Sequence, residues 1–236
     1  MKRFNKINFC KICLKIYFFM SDVVFSGPCG RIEGHYHLSS RKSAPTVIVM
    51  HPHPKHGGNM RSKLNYAIYK TFAKNEFNVL RFNFRGVGRS DGVYDHGEGE
   101  ISDAAAALDW VQGYNTRSNR FWVAGFSFGA WVSLQILMRR PEIEGFVVIG
   151  PPANLYDFSF LLPCPVVGQI IQASHDSIVD TSYVDLLVAR LKTHKGLLID
   201  YQKIETTDHF LKEHIDTVSN HMDSFISQNT FLQSVA

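Results

Sequence analysis

The chain reads as an α/β protein built on a mainly parallel sheet with helices on both faces. Two observations predict this. Short apolar runs such as Thr46-Val-Ile-Val-Met50 and Glu144-Gly-Phe-Val-Val-Ile-Gly150 have the length and continuous apolarity of strands buried on both sides. Between such runs lie longer stretches whose apolar residues recur at helical spacing. At 236 residues the chain suits one unit with ample core, and no repeat, low-complexity tract or internal linker divides it.

The elements follow in order. Alternation begins near Val23, and the first central strand is 46–50. A helix is expected over 59–75, then a strand entering the block Leu80-Arg-Phe-Asn-Phe-Arg-Gly-Val-Gly-Arg-Ser90. A helix over 100–112 precedes the β-prone run Arg120-Phe-Trp-Val-Ala124. The next helix, 128–140, stops at Pro141, which cannot continue it. Strands at 144–150 and 166–172 follow, then a helix over 181–192 with Asp180 as its N-cap. A last strand at 196–201 leads to a helix over 209–227.

Between strand 120–124 and helix 128–140 stands Gly125-Phe-Ser-Phe-Gly129. A Gly-x-Ser-x-Gly between a strand and a helix has the context of a nucleophile elbow, a strained turn that pushes the serine hydroxyl into a cleft. Side chains at the flanking positions would collide with neighbouring elements, hence the glycines. An elbow needs an acid and then a histidine further along the chain. Asp176, in Ala173-Ser-His-Asp176-Ser, follows the strand at 166–172, and His209 follows the last strand. A serine hydroxyl is a weak nucleophile that needs an adjacent base, and the carboxylate orients the imidazole. Asp180 and Asp208 compete for the acid role. Asp180 is better placed as a helix cap, and the side chain of Asp208 points away from its neighbour His209 in an extended loop.

Acyl chemistry also requires an oxyanion hole. One donor is expected from the backbone N–H of Phe128, the residue after the nucleophile. The other is expected from the loop His51-Pro-His-Pro-Lys-His-Gly-Gly58. Pro52 and Pro54 have no N–H, which leaves the backbone of His53. The spacing of His51, His53 and His56 fits no common zinc pattern, so neither a metal nor a cofactor is expected. Gly86-Val-Gly88 is no dinucleotide fingerprint, since a turn-like Arg89-Ser-Asp-Gly92 stands where a helix should open. Arg85 or Arg89 is expected to anchor this turn through backbone carbonyls.

Together these blocks resemble the small, lidless bacterial α/β-hydrolases related to dienelactone hydrolases, over about residues 23–226. The likeness rests on His51-Pro-His-Pro54 with Gly57-Gly58, the 80–90 block, Gly125-Phe-Ser-Phe-Gly-Ala130, Tyr156-Asp-Phe-Ser-Phe160 with Pro163-Cys-Pro165, and Asp208-His209-Phe210. It implies the α/β-hydrolase fold without a cap domain, and a Ser127–Asp176–His209 triad. Two departures stand out. Ala173 occupies a place usually held by glycine, and Ser127 replaces the cysteine of dienelactone hydrolases proper, which argues against that specific activity.

Only 151–165 separates two strands where caps are commonly inserted, too short for a helical lid. Phe158 and Phe160 in this segment either cover the core or form a wall beside Phe128 that limits acyl length. Two classes of function compete: a serine hydrolase of a small ester, thioester or amide, and a non-catalytic binding protein on the same fold. Acyl transfer to an acceptor other than water is the alternative within the enzyme class. The expected partner is a small acyl substrate.

Residues 1–19 differ in kind. They carry five Lys or Arg and no acid, so the formal +4 falls to about −1 for 20–236. No nucleic-acid surface follows from the basic pI. Lys11 and Lys15 interrupt any signal-peptide core, and the segment is too short and charged to span a membrane. A mis-assigned start, a basic membrane-surface helix and a disordered arm are the three readings. The first is favoured, with Met20 as the start and 20–236 as one domain. Cys10 and Cys13 form a lone C-x-x-C, and Cys29 and Cys164 read as reduced thiols of a cytoplasmic protein.

Overall fold

The computed structural model describes residues 20–193 and 198–232. The doubtful start at 1–19, and Gly196 and Leu197 of the last expected strand, lie outside the described residues. Eight strands form one sheet: β1 (Met20–Gly27), β2 (Gly30–His37), β3 (Thr46–Met50), β4 (Asn78–Phe82), β5 (Phe121–Phe126), β6 (Ile143–Ile149), β7 (Val167–Ala173) and β8 (Ile199–Ile204). Their spatial order is β1-β2-β4-β3-β5-β6-β7-β8. Strands β4 to β8 with β3 are parallel, and β1 and β2 form an antiparallel hairpin joined to β4.

Five helices cover the sheet: α1 (Lys63–Lys74), α2 (Glu98–Tyr114), α3 (Phe128–Leu137), α4 (Thr181–Leu191) and α5 (Ile215–Leu232). The period of two along each strand divides the core. Ile48, Met50, Val123, Phe146 and Val148 face α2, α3 and α4. Val47, Val49, Trp122, Ala124 and Val147 face α1 and α5. All six residues of β5 are buried, as a central parallel strand requires. Trp122 is fully buried and edge-packed against Phe72, Phe77 and Phe225, tying β5 to both α1 and α5.

Three expectations need correction. The helix expected from His209 begins at Ile215. The Asp208 carboxylate accepts from the N–H groups of Phe210 (3.0 Å) and Lys212 (2.9 Å), and Leu211 has φ 50°. A leucine in that left-handed region closes a turn and excludes a helix. The helix expected from residue 59 begins at Lys63, because the Asn59 side chain takes the Arg61 N–H (2.9 Å) in a turn of its own. Finally, Arg85 and Arg89 do not hold their turn through backbone carbonyls. Arg85 forms a buried fork with Asp103 of α2 (3.0 and 2.8 Å), and Arg89 donates to Glu33 of β2 (2.8 Å). Carboxylates on distant elements therefore pin this turn.

Between β6 and β7 only a short 3-10 turn, Ser159–Leu161, interrupts the coil. No cap domain is inserted there. Among the described residues no helix is long and apolar enough to cross a membrane.

Candidate active site

The carboxyl ends of β5, β7 and β8 bring Ser127, Asp176 and His209 together, although up to 82 residues separate them. Ser127 joins β5 to α3 with φ 54° and ψ −120°. For a residue with a Cβ such a conformation costs on the order of 1–3 kcal/mol and persists only where surroundings impose it. Those surroundings are visible. The Ser127 N–H donates to the Ile149 carbonyl (2.9 Å), and its own carbonyl accepts from Ala130 (2.8 Å). A side chain at Gly125 would run into the Gly129 backbone, and one at Gly129 into the carbonyls of Met50 and His51. Both glycines are thus required by close backbone approach.

His209 is buried and bridges the other two residues. Its Nε2 lies 3.0 Å from Ser127 Oγ, and its Nδ1 lies 2.7 Å from Asp176 Oδ2. Asp176 is itself enclosed. Its Oδ1 accepts from the N–H groups of Ile178 and Val179, both at 2.8 Å, and its Oδ2 also accepts from Gln172 Nε2 at 3.1 Å. Burial pushes this carboxyl up, but the hydrogen bonds from His209 and the two backbone groups outweigh burial and hold it below its ordinary range. A carboxylate facing Nδ1 keeps the proton there and leaves Nε2 free to accept from the serine. The competing acids are occupied elsewhere. Asp180 accepts from Ser182 N (2.9 Å) as the N-cap of α4, and Asp208 caps its own turn.

The backbone of Phe128 starts α3, so its N–H has no acceptor within the helix. The loop after β3 brings His53 against it, with the two rings 5.1 Å apart. Two histidines keep this loop in place. His51 is fully buried; its Nδ1–H donates to the Pro52 carbonyl (2.7 Å), and its Nε2 accepts from Phe84 N–H (3.1 Å). Both ring nitrogens are committed, and burial pushes its pKa down to about 4. It is a neutral staple and has no lone pair left for a metal. His53 Nδ1 accepts from Lys55 N–H (3.1 Å), which puts its proton on Nε2, 3.1 Å from Tyr94 Oη. Burial, then the charges of His56, His96 and Lys55, lower the His53 pKa and favour this neutral form.

Phe158 and Phe160 do not form the wall beside Phe128. Phe158 is buried in the core, and Phe160 stacks on it at 6.0 Å. The rings packed against Phe128 instead include Tyr94, Trp131 and Tyr156, at 6.1, 5.9 and 6.0 Å. Burial, with Tyr94 as its neighbour, pushes the Tyr156 pKa up to about 12, so its hydroxyl stays protonated. The sequence signal for Tyr156 stood two residues from the segment's phenylalanines; nothing local marked Tyr94 or Trp131.

Fold and constellation define the class: a serine α/β hydrolase without a lid. The chain belongs to the S15 family, described as X-Pro dipeptidyl-peptidase, which it matches over residues 38–207. It is 46% identical over 211 residues to an uncharacterized protein of Rickettsia prowazekii (strain Madrid E), covering 88% of this chain and 89% of that one. An Agrobacterium tumefaciens protein of unknown function, considered a candidate α/β hydrolase, superposes with a TM-score of 0.87 at 48% identity, over 89% of this chain and 96% of that one. A Xanthomonas campestris α/β serine hydrolase without a lid matches with a TM-score of 0.80 at 30% identity, over 89% and 95% of the two chains. These relatives carry the lidless-hydrolase part of the resemblance; kinship with dienelactone hydrolases stays with the motifs.

Proposed function

We propose that the protein hydrolyses a small ester, thioester or amide through an acyl-enzyme on Ser127. The observation that carries this reading is the bridging His209, 3.0 Å from the serine hydroxyl and 2.7 Å from a buried carboxylate. Ser127 Oγ attacks the substrate carbonyl as Nε2 takes its proton. The backbone N–H groups of Phe128 and His53 hold the oxyanion that forms. The imidazolium, stabilised by Asp176, then protonates the leaving group as its bond to carbon breaks. Water, activated by the same nitrogen, releases the acid and restores the serine. The partner is a small acyl substrate in an open cleft. Dipeptide specificity is not carried over from the family's description, though an amide remains within the chemistry.

A cytoplasmic setting belongs to the same proposal, supported by the free thiols of Cys29 and Cys164. A fluorophosphonate probe should label the protein at Ser127, and Ser127→Ala should abolish both labelling and ester turnover. A Ser127→Ala variant that labels or turns over esters like the parent would refute the proposal.

A further inference from the structure

A cavity of about 280 Å³ opens beside the proposed reaction centre. It lies between the loop that supplies the His53 N–H, the start of α1 and the turn after His209. Its apolar wall is Pro52, Leu64, Phe126 and Phe210. Phe126 and Phe210 are the chain neighbours of Ser127 and His209, and both rings pack on the His209 imidazole, at 4.9 and 5.5 Å. The cavity's cationic or titratable side chains are His56, Lys63 and Lys212, and Gly57, Gly58 and Ser62 make up the rest of the lining. No carboxylate lines it. Neither lysine forms an ion pair among the described residues; Lys212 Nζ instead sits 5.3 Å from the Phe210 ring. Of the acids close in sequence, Glu213 follows Lys212 but does not line the cavity, and Asp208 spends its oxygens on the N–H groups of Phe210 and Lys212. Elsewhere on the surface Lys74 and Lys203 each sit 2.8 Å from an aspartate.

Phe210 is 43% exposed, an apolar face that water covers unless a ligand does. The domain from residue 20 carries a formal charge of about −1, so a cavity lined by one sign is local and not a by-product of a basic protein. The side on which it lies decides its role. The leaving group must receive its proton from His209 Nε2, so it departs toward the histidine. None of Tyr94, Trp131 and Tyr156, the rings packed around Phe128, lines this cavity, so they are left for the acyl portion.

We propose that this cavity is a leaving-group pocket selecting an alcohol, thiol or amine with an apolar body and an anionic end, a carboxylate held between Lys63 and Lys212. This rests on the acyl-enzyme reading above. In the step concerned, the Ser127 Oγ–acyl bond forms, the bond from acyl carbon to leaving oxygen breaks, and the imidazolium proton passes to that oxygen. The anionic group takes no part in bonding changes and serves recognition alone.

The test uses 4-acetoxybenzoate and the neutral 4-acetoxybenzamide, which share an acyl group and differ at the far end of the leaving group. The ratio of their kcat/KM values should fall about tenfold in Lys63→Ala/Lys212→Ala, since each partly exposed charge contact is worth a factor of a few. The corresponding ratio for phenyl hydrogen succinate against phenyl butanoate, with the carboxylate on the acyl side, should not move. Calorimetry with the product 4-hydroxybenzoate gives a readout independent of turnover: binding to the parent, weakened by the double substitution. An unchanged ratio, or 4-hydroxybenzoate binding equally to parent and variant or to neither, overturns the pocket. Loss of the acyl-enzyme reading would show differently, as turnover of 4-acetoxybenzamide surviving Ser127→Ala.

Discussion

Replacing Asp176 by asparagine tests the constellation with a single atom change. In the parent, Oδ1 accepts from two backbone N–H groups at 2.8 Å, so the carbonyl oxygen of asparagine must take that place. The amide NH2 is then forced into the Oδ2 position, 2.7 Å from His209 Nδ1. Two donors cannot face one another, so Nδ1 must give up its proton and accept, which puts the proton on Nε2. The ring then donates toward Ser127 and cannot take its proton. An equivalent tautomer inversion in a serine protease costs about ten-thousandfold, roughly 5.5 kcal/mol of transition-state stabilisation. The fold should survive. Gln172 Nε2 would oppose the new NH2, but its buried Oε1 has no partner, so an amide flip turns the clash into a hydrogen bond and gives up only the long 3.5 Å bond from Nε2 to the Val179 carbonyl. The assay is kcat/KM on a short-chain p-nitrophenyl ester, with thermal unfolding measured alongside. The reasoning would be refuted by a folded variant retaining a tenth of parent activity, or by Asp180→Asn proving the more damaging change.

Other outcomes follow from the same geometry. The Asp176 pKa is depressed on folding, so its ionised form stabilises the protein above the ordinary carboxylate range, and this contribution is lost as pH falls through the folded value; urea titrations of Asp176→Asn should lack that acid-side loss. His51, neutral with a pKa of about 4 against an unfolded 6.5, contributes stability fully present above pH 6.5 that is lost as pH falls toward 4. The loss is on the order of 3 kcal/mol, and His51→Phe should flatten that slope while lowering stability at neutral pH through an unpaired Phe84 N–H. With no lid between β6 and β7 and bulky rings around Phe128, rates on p-nitrophenyl esters should peak at short acyl chains. They should show no jump above the solubility limit; a preference for micellar long-chain esters would contradict the open cleft.

The parts of the site legible in the sequence were those with local causes. The elbow announces itself because Gly125 and Gly129 must lack side chains within five residues of one another. Asp176 and His209 could be placed because each follows a strand of a parallel sheet, whose carboxyl ends gather at one edge. Where the cause was distant, reading failed. The partners of Arg85 and Arg89 are carboxylates 18 and 56 residues away, and no local pattern pairs them. The wall around Phe128 is Tyr94, Trp131 and Tyr156, drawn from three separate elements, whereas Phe158 and Phe160 looked equally suitable in a linear chain. The helix start at Ile215 was hidden by side-chain capping from Asp208, which competes with helix and wins over one turn.

The close approach of Gly129 to the carbonyls of Met50 and His51 has a consequence for how this protein can change over generations. The two groups proposed as oxyanion donors belong to the main chain, so almost any substitution of the residues that carry them, proline excepted, leaves those N–H groups in existence. Their spacing is set by backbone resting on backbone at a position that carries no side chain. The proposed chemistry is therefore exposed at glycines such as Gly129 and Gly58, where an added side chain would push apart the backbone that carries residues 53 and 128. The side chains on those same two residues are constrained separately: His53 Nδ1 accepts from Lys55 N–H within its loop, and Phe128 is buried in the core, so a substitution there disturbs the loop or the core while the N–H itself persists.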